Sequence, residues 1–512
     1  MTNQTSANAP LKLNMKRTMI IGFAFFGILL LWQVYDSWCP TLLTELFAKA
    51  MYPDPVNGYM ALMSVANDPM VTKEVALQAI ASREAMAKQV QYIVGVMMAI
   101  DNLAALILLP IFGRLSDKTH TKWGKRMPYI AIGTLVCAIA FPFIPVIFHY
   151  AGSIVGVIVM MAIVVLFAMM YRNPAVALMP DMTPKPLRSK ANGIINIMGY
   201  IGGLFATLVG MVFVLSEYLG TKVDAKTGLY AKHSWAYNNP WAIVMPFVIA
   251  SILMVVSAVV LFIKIKENKV AEEVKDEMAR GELEAEVVDK VSEEAPMSKQ
   301  NRRMLIFILA AEFFWFMADN GIGTFFGNYT VYYLKASSMD AMINTIIFGV
   351  GSVVGFAFGG TIASKIGRKW TLFGGLGIAL FAYVLWAILS FVPGAVVVGK
   401  FPVWLYIIFL LRGFGMSLVH VNSFPMVVEL CPNSKIGQFT GYYYASSMAA
   451  QTVTPVLLGL LLYLPNFPFT YIPLYAVVCI LIATLIFFFV KNVKNRKTNF
   501  ASGIEALGEV DD

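Results

Sequence analysis

The stretch GRLSDKTHTKWGKR, residues 113 to 126, separates two apolar runs, QYIVGVMMAIDNLAALILLP before it (91–110) and MPYIAIGTLVCAIAFPFIPVIF after it (127–148). Each run has about the 20 residues with which an α-helix crosses a bilayer, so the polar stretch is a turn at a membrane face. Gly113 and Gly124 permit tight turns and close helix approach at its ends, and Asp117 stands among the cations Arg114, Lys118, Lys122, Lys125 and Arg126. A shorter stretch, GTIASKIGRK at 360–369, makes the corresponding turn between two later apolar runs. The repetition divides the chain into two halves of like construction.

Composition agrees with that reading. Of 512 residues, 58% are hydrophobic and 13% charged, with a mean hydropathy of +0.70, which is a polytopic membrane protein with no large soluble domain left over. Spans are expected near 18–45, 90–113, 127–149, 153–179, 191–216, 241–264, 303–333, 341–364, 370–392, 402–429, 437–463 and 470–490. The first apolar run is too long for a signal peptide and lacks a small-residue cleavage site, so it is read as the first helix of the mature chain. Lys and Arg are roughly twice as frequent in the short loops on the side of the termini, which places both termini in the cytoplasm of a multi-pass cell-membrane protein. The net charge of +9 follows from that topology without nucleic acid. The expected class is therefore an all-α membrane protein, twelve transmembrane helices in two pseudo-symmetric six-helix bundles, taken as a monomer.

The bundles are expected over 1–263 and 303–490, joined by a charged cytoplasmic linker over 264–302 and followed by a cytoplasmic tail over 491–512. The linker reads as a solvated, partly helical tether, with a docking role as the alternative. The outer segment 46–89 is too long for a simple turn, and VTKEVALQAIASREAMAKQV within it reads as an amphipathic helix lying on the outer surface, a structural cap or a lid. Cys39, Cys137, Cys431 and Cys479 lie in or beside apolar runs with neither disulfide nor metal spacing. No metal site or cofactor is expected.

The repeat extends into the membrane. WQVYDS at 32–37 matches WFMADN at 315–320, a Trp followed four residues later by an acid and then a small polar residue. At about 1.5 Å per residue, Asp36 and Asp319 reach similar depths in their helices. Asp181 after the fourth span likewise pairs with Glu429 after the tenth.

The loop at 113–126 resembles the signature cytoplasmic loop of the major facilitator superfamily. Its long form, with six residues between Asp117 and Gly124, resembles the glycoside-pentoside-hexuronide:cation symporters and the sucrose:proton symporters, and RNPAVALMPD (172–181) with ANGIINIMGYIGG (191–203) is similar to the sucrose-transporter branch. The likeness covers essentially the whole chain and implies cation-coupled import of a glycoside, a disaccharide or short oligosaccharide. Ser364 departs from it by occupying the acidic position of the second loop. Arg114, Asp117, Arg126 and Asp181, with Arg368 and Glu429 in the other half, are expected to form a gate of charges at the cytoplasmic face that holds one conformation closed; the alternative is that the basic residues serve only topology.

A charge at a helix centre costs about 2.5 to 3.5 kcal/mol on insertion scales, so it faces a cavity or a partner. The intramembrane set is Asp36, Asp101, Arg172, Glu312, Asp319, Arg412 and His420. Polyols call for planar donors and acceptors beside an aromatic platform. Asp36 with Trp32, Arg172, Asn192 and Asn196, Trp315 with Asp319, Arg412 and His420 supply these types, although the two amides also suit helix packing, the tryptophans suit interfacial anchoring, and His420 suits a bond to a neighbouring helix. Asp101, beside Asn102, suits a proton carrier or a static ion pair. Glu312 and Asp319 share one helix face as alternative carriers. The sodium-using branch places two carboxylates one turn apart on helix 2, whereas Met97 and Ala105 flank Asp101 here, so the expected coupling cation is a proton, with sodium as the alternative. Nucleotide-binding glycine loops and nucleophile–base motifs are lacking, so no enzyme is expected. The competing functions are a proton-driven efflux antiporter and a non-transporting sugar sensor.

Overall fold

The computed structural model describes residues 11–290, 299–430 and 436–491. Among them, 12 helices are long and apolar enough to span a membrane: α1 (Met15–Met51), α2 (Gln91–Asp117), α3 (Met127–Tyr150), α4 (Ile154–Asp181), α5 (Arg188–Val212) and α6 (Pro240–Lys264) in the first half, and α7 (Lys299–Asn328), α8 (Ser338–Ile366), α9 (Arg368–Phe391), α10 (Val403–Leu430), α11 (Ile436–Tyr463) and α12 (Ile472–Phe488) in the second. The expected spans are all present. Local chemistry sets several starts: Asn14, Ser153, Asn239 and Ser337 accept from the first free backbone N–H groups of α1, α4, α6 and α8. α3 breaks at Phe141–Pro142, where proline has no N–H to continue the ladder.

α1 packs along α5 and α6, α8 along α10, and α2 along α11, the main helix pair between the halves. Two glycines permit that last approach. A Cβ on Gly95 would overlap the Pro455 carbonyl, and one on Gly459 would lie 2.6 Å from the Gln91 carbonyl oxygen, so a larger residue at either position pushes the halves apart.

At the end of the bundle away from the chain termini, Tyr59–Asn67 and Lys73–Gln89 form two cap helices over α1. The second differs from the expected surface-lying amphipathic helix, since it buries Ala76, Ala79, Ile80, Arg83 and Ala87 against protein. Its reason is electrostatic. Glu45, 3% exposed at the end of α1, lies 3.6 Å from the Arg83 guanidinium, itself 4% exposed, and the Tyr59 ring stacks 4.1 Å from that cation. Two buried charges must meet, which draws the helix inward.

The linker also departs from a free tether. Glu267–Glu273 and Lys275–Lys290 are helical, Glu267 and Val274 are buried, and Gly281 packs against Pro184. Its first part belongs to the first half.

Candidate functional site

α1 presents one charge in its middle. Tyr35, Trp38 and Cys39 are buried, whereas Asp36 is exposed; in a helix packed on several sides, that is the signature of a side chain facing an internal cavity. Trp32, one turn earlier, is half-buried and meets Tyr35 edge to face at 5.5 Å. The Tyr35 hydroxyl leaves the cavity wall and donates to Asp101 Oδ2 on α2 at 2.7 Å. Beside Asp101, Asn102 donates to the Gln451 carbonyl of α11 at 3.1 Å, reaching the other half.

The matching acid of the second half is treated differently. Asp319 is ion-paired to Arg412 of α10, which also donates to the Tyr383 hydroxyl at 2.8 Å and lies over the Phe348 and Phe409 rings at 4.4 and 5.1 Å. Asp36 makes no such pair among the described residues. The repeat is thus symmetric in sequence and asymmetric in charge, with the free acid in the first half and a neutralised one in the second.

Two of the expected site residues, Trp315 and Glu312, are closed off in the packing of α7. Trp315, expected beside Asp319 at the cavity, is fully buried, because its face of α7 packs into the apolar core. Glu312, expected to share a cavity-lining face with Asp319, is 0% exposed and both carboxylate oxygens lack a hydrogen-bond partner, while Asp319 is 26% exposed. Asn192 and Asn196 are buried in α5 and engaged. Arg172 and His420 are half-buried and engaged, His420 lying 5.1 Å from the Phe316 ring.

Above the cavity, a neutral polar seam closes the two halves together. Thr41 donates to Asn328 Oδ1 at 2.9 Å, and the Asn328 amide donates to Gln91 Oε1 at 2.8 Å and Thr44 Oγ1 at 3.1 Å. All four are buried, so every bond made here replaces one to water. Beyond the seam, Glu45 accepts from Tyr59 at 2.7 Å and from Tyr332 of the second half at 3.1 Å. At the rim, Lys335 pairs with Glu84 at 3.0 Å and Lys88 donates to the Leu464 carbonyl at 2.9 Å. Tyr332 and Lys335 sit where α7 runs into a π-helical turn, Tyr329–Tyr333, followed by a left-handed backbone at Lys335, φ 52. Such turns often mark functional sites.

The opposite end holds the expected charge cluster, with one change of membership. Arg126 pairs with Asp117 and with Asp181, the latter at 2.9 Å, and Lys125 reaches Asp181 at 3.1 Å. Burial opposes the Arg126 charge, yet Asp181 and Asp117 outweigh it and hold the guanidinium above its ordinary value. Arg114 is exposed and makes no ion pair among the described residues, since α2 stays helical to Asp117 and turns its side chain away. Gly113 is likewise inside α2, where a Cβ would press on the Asn173 amide; its role is close packing of α2 on α4 and not a turn. Gly124 does turn the chain, at φ +117. Arg368 is buried and engaged, and the Glu429 side chain lies outside the described residues.

Sequence reasoning missed Glu267. Its carboxylate accepts from the backbone N–H groups of Lys125, Arg126 and Met127 at 3.0 to 3.1 Å, capping the start of α3, and a Cβ on Gly124 would collide with it. It also missed Glu45, Arg83 and Asn328. Their only signal was polarity within or next to a span, and Asn328 alone among them stood inside an apolar run.

Residues 75–399 and 308–507 match the sequence profile of the Major Facilitator Superfamily. The isoprimeverose transporter of Lactiplantibacillus pentosus is 24% identical over 301 residues, 57% of this chain and 56% of that protein; the match spans little more than half the length of the relative. Among solved structures, a bacterial homologue of the iron transporter ferroportin in an inward-facing state superposes with a TM-score of 0.58 at 13% identity, covering 93% of this chain and 99% of that one. A bacterial homologue of the human lysosomal transporter Spinster, inward-facing and unoccupied, gives 0.56 at 15% identity over 94% and 98%. The peptide transporter POT in complex with sulfate gives 0.56 at 13% identity over 94% and 96%. At these identities the likeness is one of fold.

Proposed function

Because the chain belongs to the Major Facilitator Superfamily, we propose that it is a symporter, with both termini in the cytoplasm, that imports a glycoside, a disaccharide or short oligosaccharide, together with a proton by alternating access. The observation that carries this reading is the free Asp36, exposed in mid-helix beside the half-buried Trp32 and one residue from the tyrosine that holds Asp101. An ionised carboxylate accepts from two sugar hydroxyls at once and an indole face covers a sugar's C–H surface. Kinship with an isoprimeverose transporter favours the same substrate class.

The division of labour follows from charge. Asp319 is already satisfied by Arg412, so the pair offers polar edges to a neutral substrate without net charge. Asp101 has a single hydroxyl donor and one carboxylate suffices for one proton, whereas a sodium ion wants several oxygens. The seam, the Glu45 cluster and the rim are joined, and deeper in the bundle the Asn102–Gln451 bond ties α2 to α11. This is an arrangement closed toward the cap. Import requires the cap side to part, proton and glycoside to enter, and the Arg126 cluster to yield in turn.

The test is uptake of a panel of labelled glycosides, isoprimeverose among them, into vesicles carrying the protein, with and without imposed proton and sodium gradients. Proton-driven accumulation of a glycoside is expected. Sodium-driven accumulation that persists after the proton gradient is collapsed would overturn the coupling ion, and efflux driven by inward proton flow would overturn the direction.

A further inference from the structure

We infer that Tyr35 is a positioning residue that links the substrate wall of the cavity to the cation-carrying acid, its ring backing Trp32 and its hydroxyl holding Asp101. The inference rests on the symport reading above and adds to it the physical connection between the two sites.

Tyr35 is fully buried, so its two contacts are fixed by packing. On one side the Trp32 ring stands edge to face at 5.5 Å and 82°. On the other, the 2.7 Å bond to Asp101 Oδ2 crosses from α1 to α2. Asp36, the next residue in the chain, faces the cavity. A ligand resting on Trp32 and Asp36 therefore touches both neighbours of a side chain whose far end grips Asp101, and a small rotation of α1 moves the hydroxyl relative to the carboxylate.

The surroundings of Asp101 leave Tyr35 in a singular position. α1 brings Tyr35, Asp36 and Cys39 close to it. α11, packed on α2, has no charged residue and offers the Gln451 carbonyl, which Asn102 takes. α4, also packed on α2, carries Arg172, which is engaged, and Asp181, which is held in the cytoplasmic cluster by Arg126 and Lys125. Of the neighbours on α1, Tyr35 alone donates a hydrogen bond to the acid, and a phenol donates more strongly to a carboxylate than to a protonated acid. Proton loading of Asp101 and the seating of Tyr35 thus bias one another, and that mutual bias has to be reciprocal with ligand binding.

The test uses the full-length protein and Tyr35→Phe, which keeps the ring against Trp32 and removes the hydroxyl. The first readout is the pH profile of dicyclohexylcarbodiimide attachment to Asp101, read by peptide mass spectrometry, with Asp101→Asn as the blank. This reagent takes the protonated acid, so loss of the hydroxyl is expected to move the profile to higher pH; a profile that stays in place overturns the inference. The second readout is the Kd for isoprimeverose at about pH 6 and about pH 8, expected to differ about fivefold or more in the parent and to converge in Tyr35→Phe with binding retained. Equal pH ratios in variant and parent overturn Tyr35 as the link and leave symport standing. A parent ratio of one overturns proton coupling and the link with it.

Discussion

Tyr332 donates to Glu45 across the boundary between the two halves, at 3.1 Å, onto the same carboxylate oxygen that takes the Tyr59 hydroxyl. One buried oxygen therefore serves both the cap, through Tyr59, and the closure of the halves, through Tyr332. Its charge is met within the first half by Arg83, so the second half can leave without stranding an ion.

That arrangement separates stability from gating at neighbouring positions. Arg83→Ala leaves Glu45 buried and uncompensated, and is expected to cost about 3 kcal/mol, read as a lower thermal midpoint in detergent. The double change Arg83→Met with Glu45→Gln should recover most of that loss. A double variant as unstable as Arg83→Ala would show that the pair serves something other than mutual neutralisation.

Tyr332→Phe combined with Lys335→Ala removes two bonds between the halves and none within the first. At about 1 kcal/mol per bond, the population open on the cap side should rise at least fivefold. Spin labels at Asn57 and Lys400, both exposed, report it as a longer distance component. An unchanged distance distribution would show that these two bonds do not hold the cap side closed.

Glu267→Ala is expected to release the linker from the start of α3. Three backbone donors lose their acceptor, and tryptic cleavage at Lys266 and Lys269 should accelerate about tenfold, the consequence of roughly 1.4 kcal/mol of local stability. Glu267→Gln, which keeps an acceptor oxygen, should fall between the two. Equal cleavage rates for parent and Ala variant would return the linker to a tether.

Asp101→Asn should abolish gradient-driven accumulation while sparing exchange of glycoside at equal concentrations, because exchange requires no net proton release. Asp36→Asn should instead weaken glycoside binding about tenfold, the loss of a charge-assisted bond, with insertion intact. Full accumulation by Asp101→Asn would move the carrier to Glu312 or Asp319, and parental affinity in Asp36→Asn would remove that residue from the site.

The spans and the pairing of Arg126 with Asp117 and Asp181 were legible because both depend on local pattern: about twenty apolar residues, and opposite charges at matching helix ends. Glu45 with Arg83 was not. They are far apart along the chain, and Arg83 lies in a helix whose mix of charged and apolar residues equally describes a helix floating on lipid. Glu267 was hidden by company, since nothing in a run of charges distinguishes the one carboxylate that is buried from Glu272 and Glu273 beside it. Trp315 failed in the opposite sense: the match to Trp32 is real in sequence, but which face of α7 meets the core is decided by packing.

The seam of Thr41, Thr44, Gln91 and Asn328 contains no charge, whereas the rim closes on Lys335 and Glu84. The two should therefore respond differently to ionic strength. At about 1 M salt the Debye length falls to about 3 Å, which screens the part-exposed rim pair and leaves the bonds among buried neutral groups untouched. Closure toward the cap is then expected to survive concentrated salt with its outermost layer loosened, so that the cap side frays before it opens.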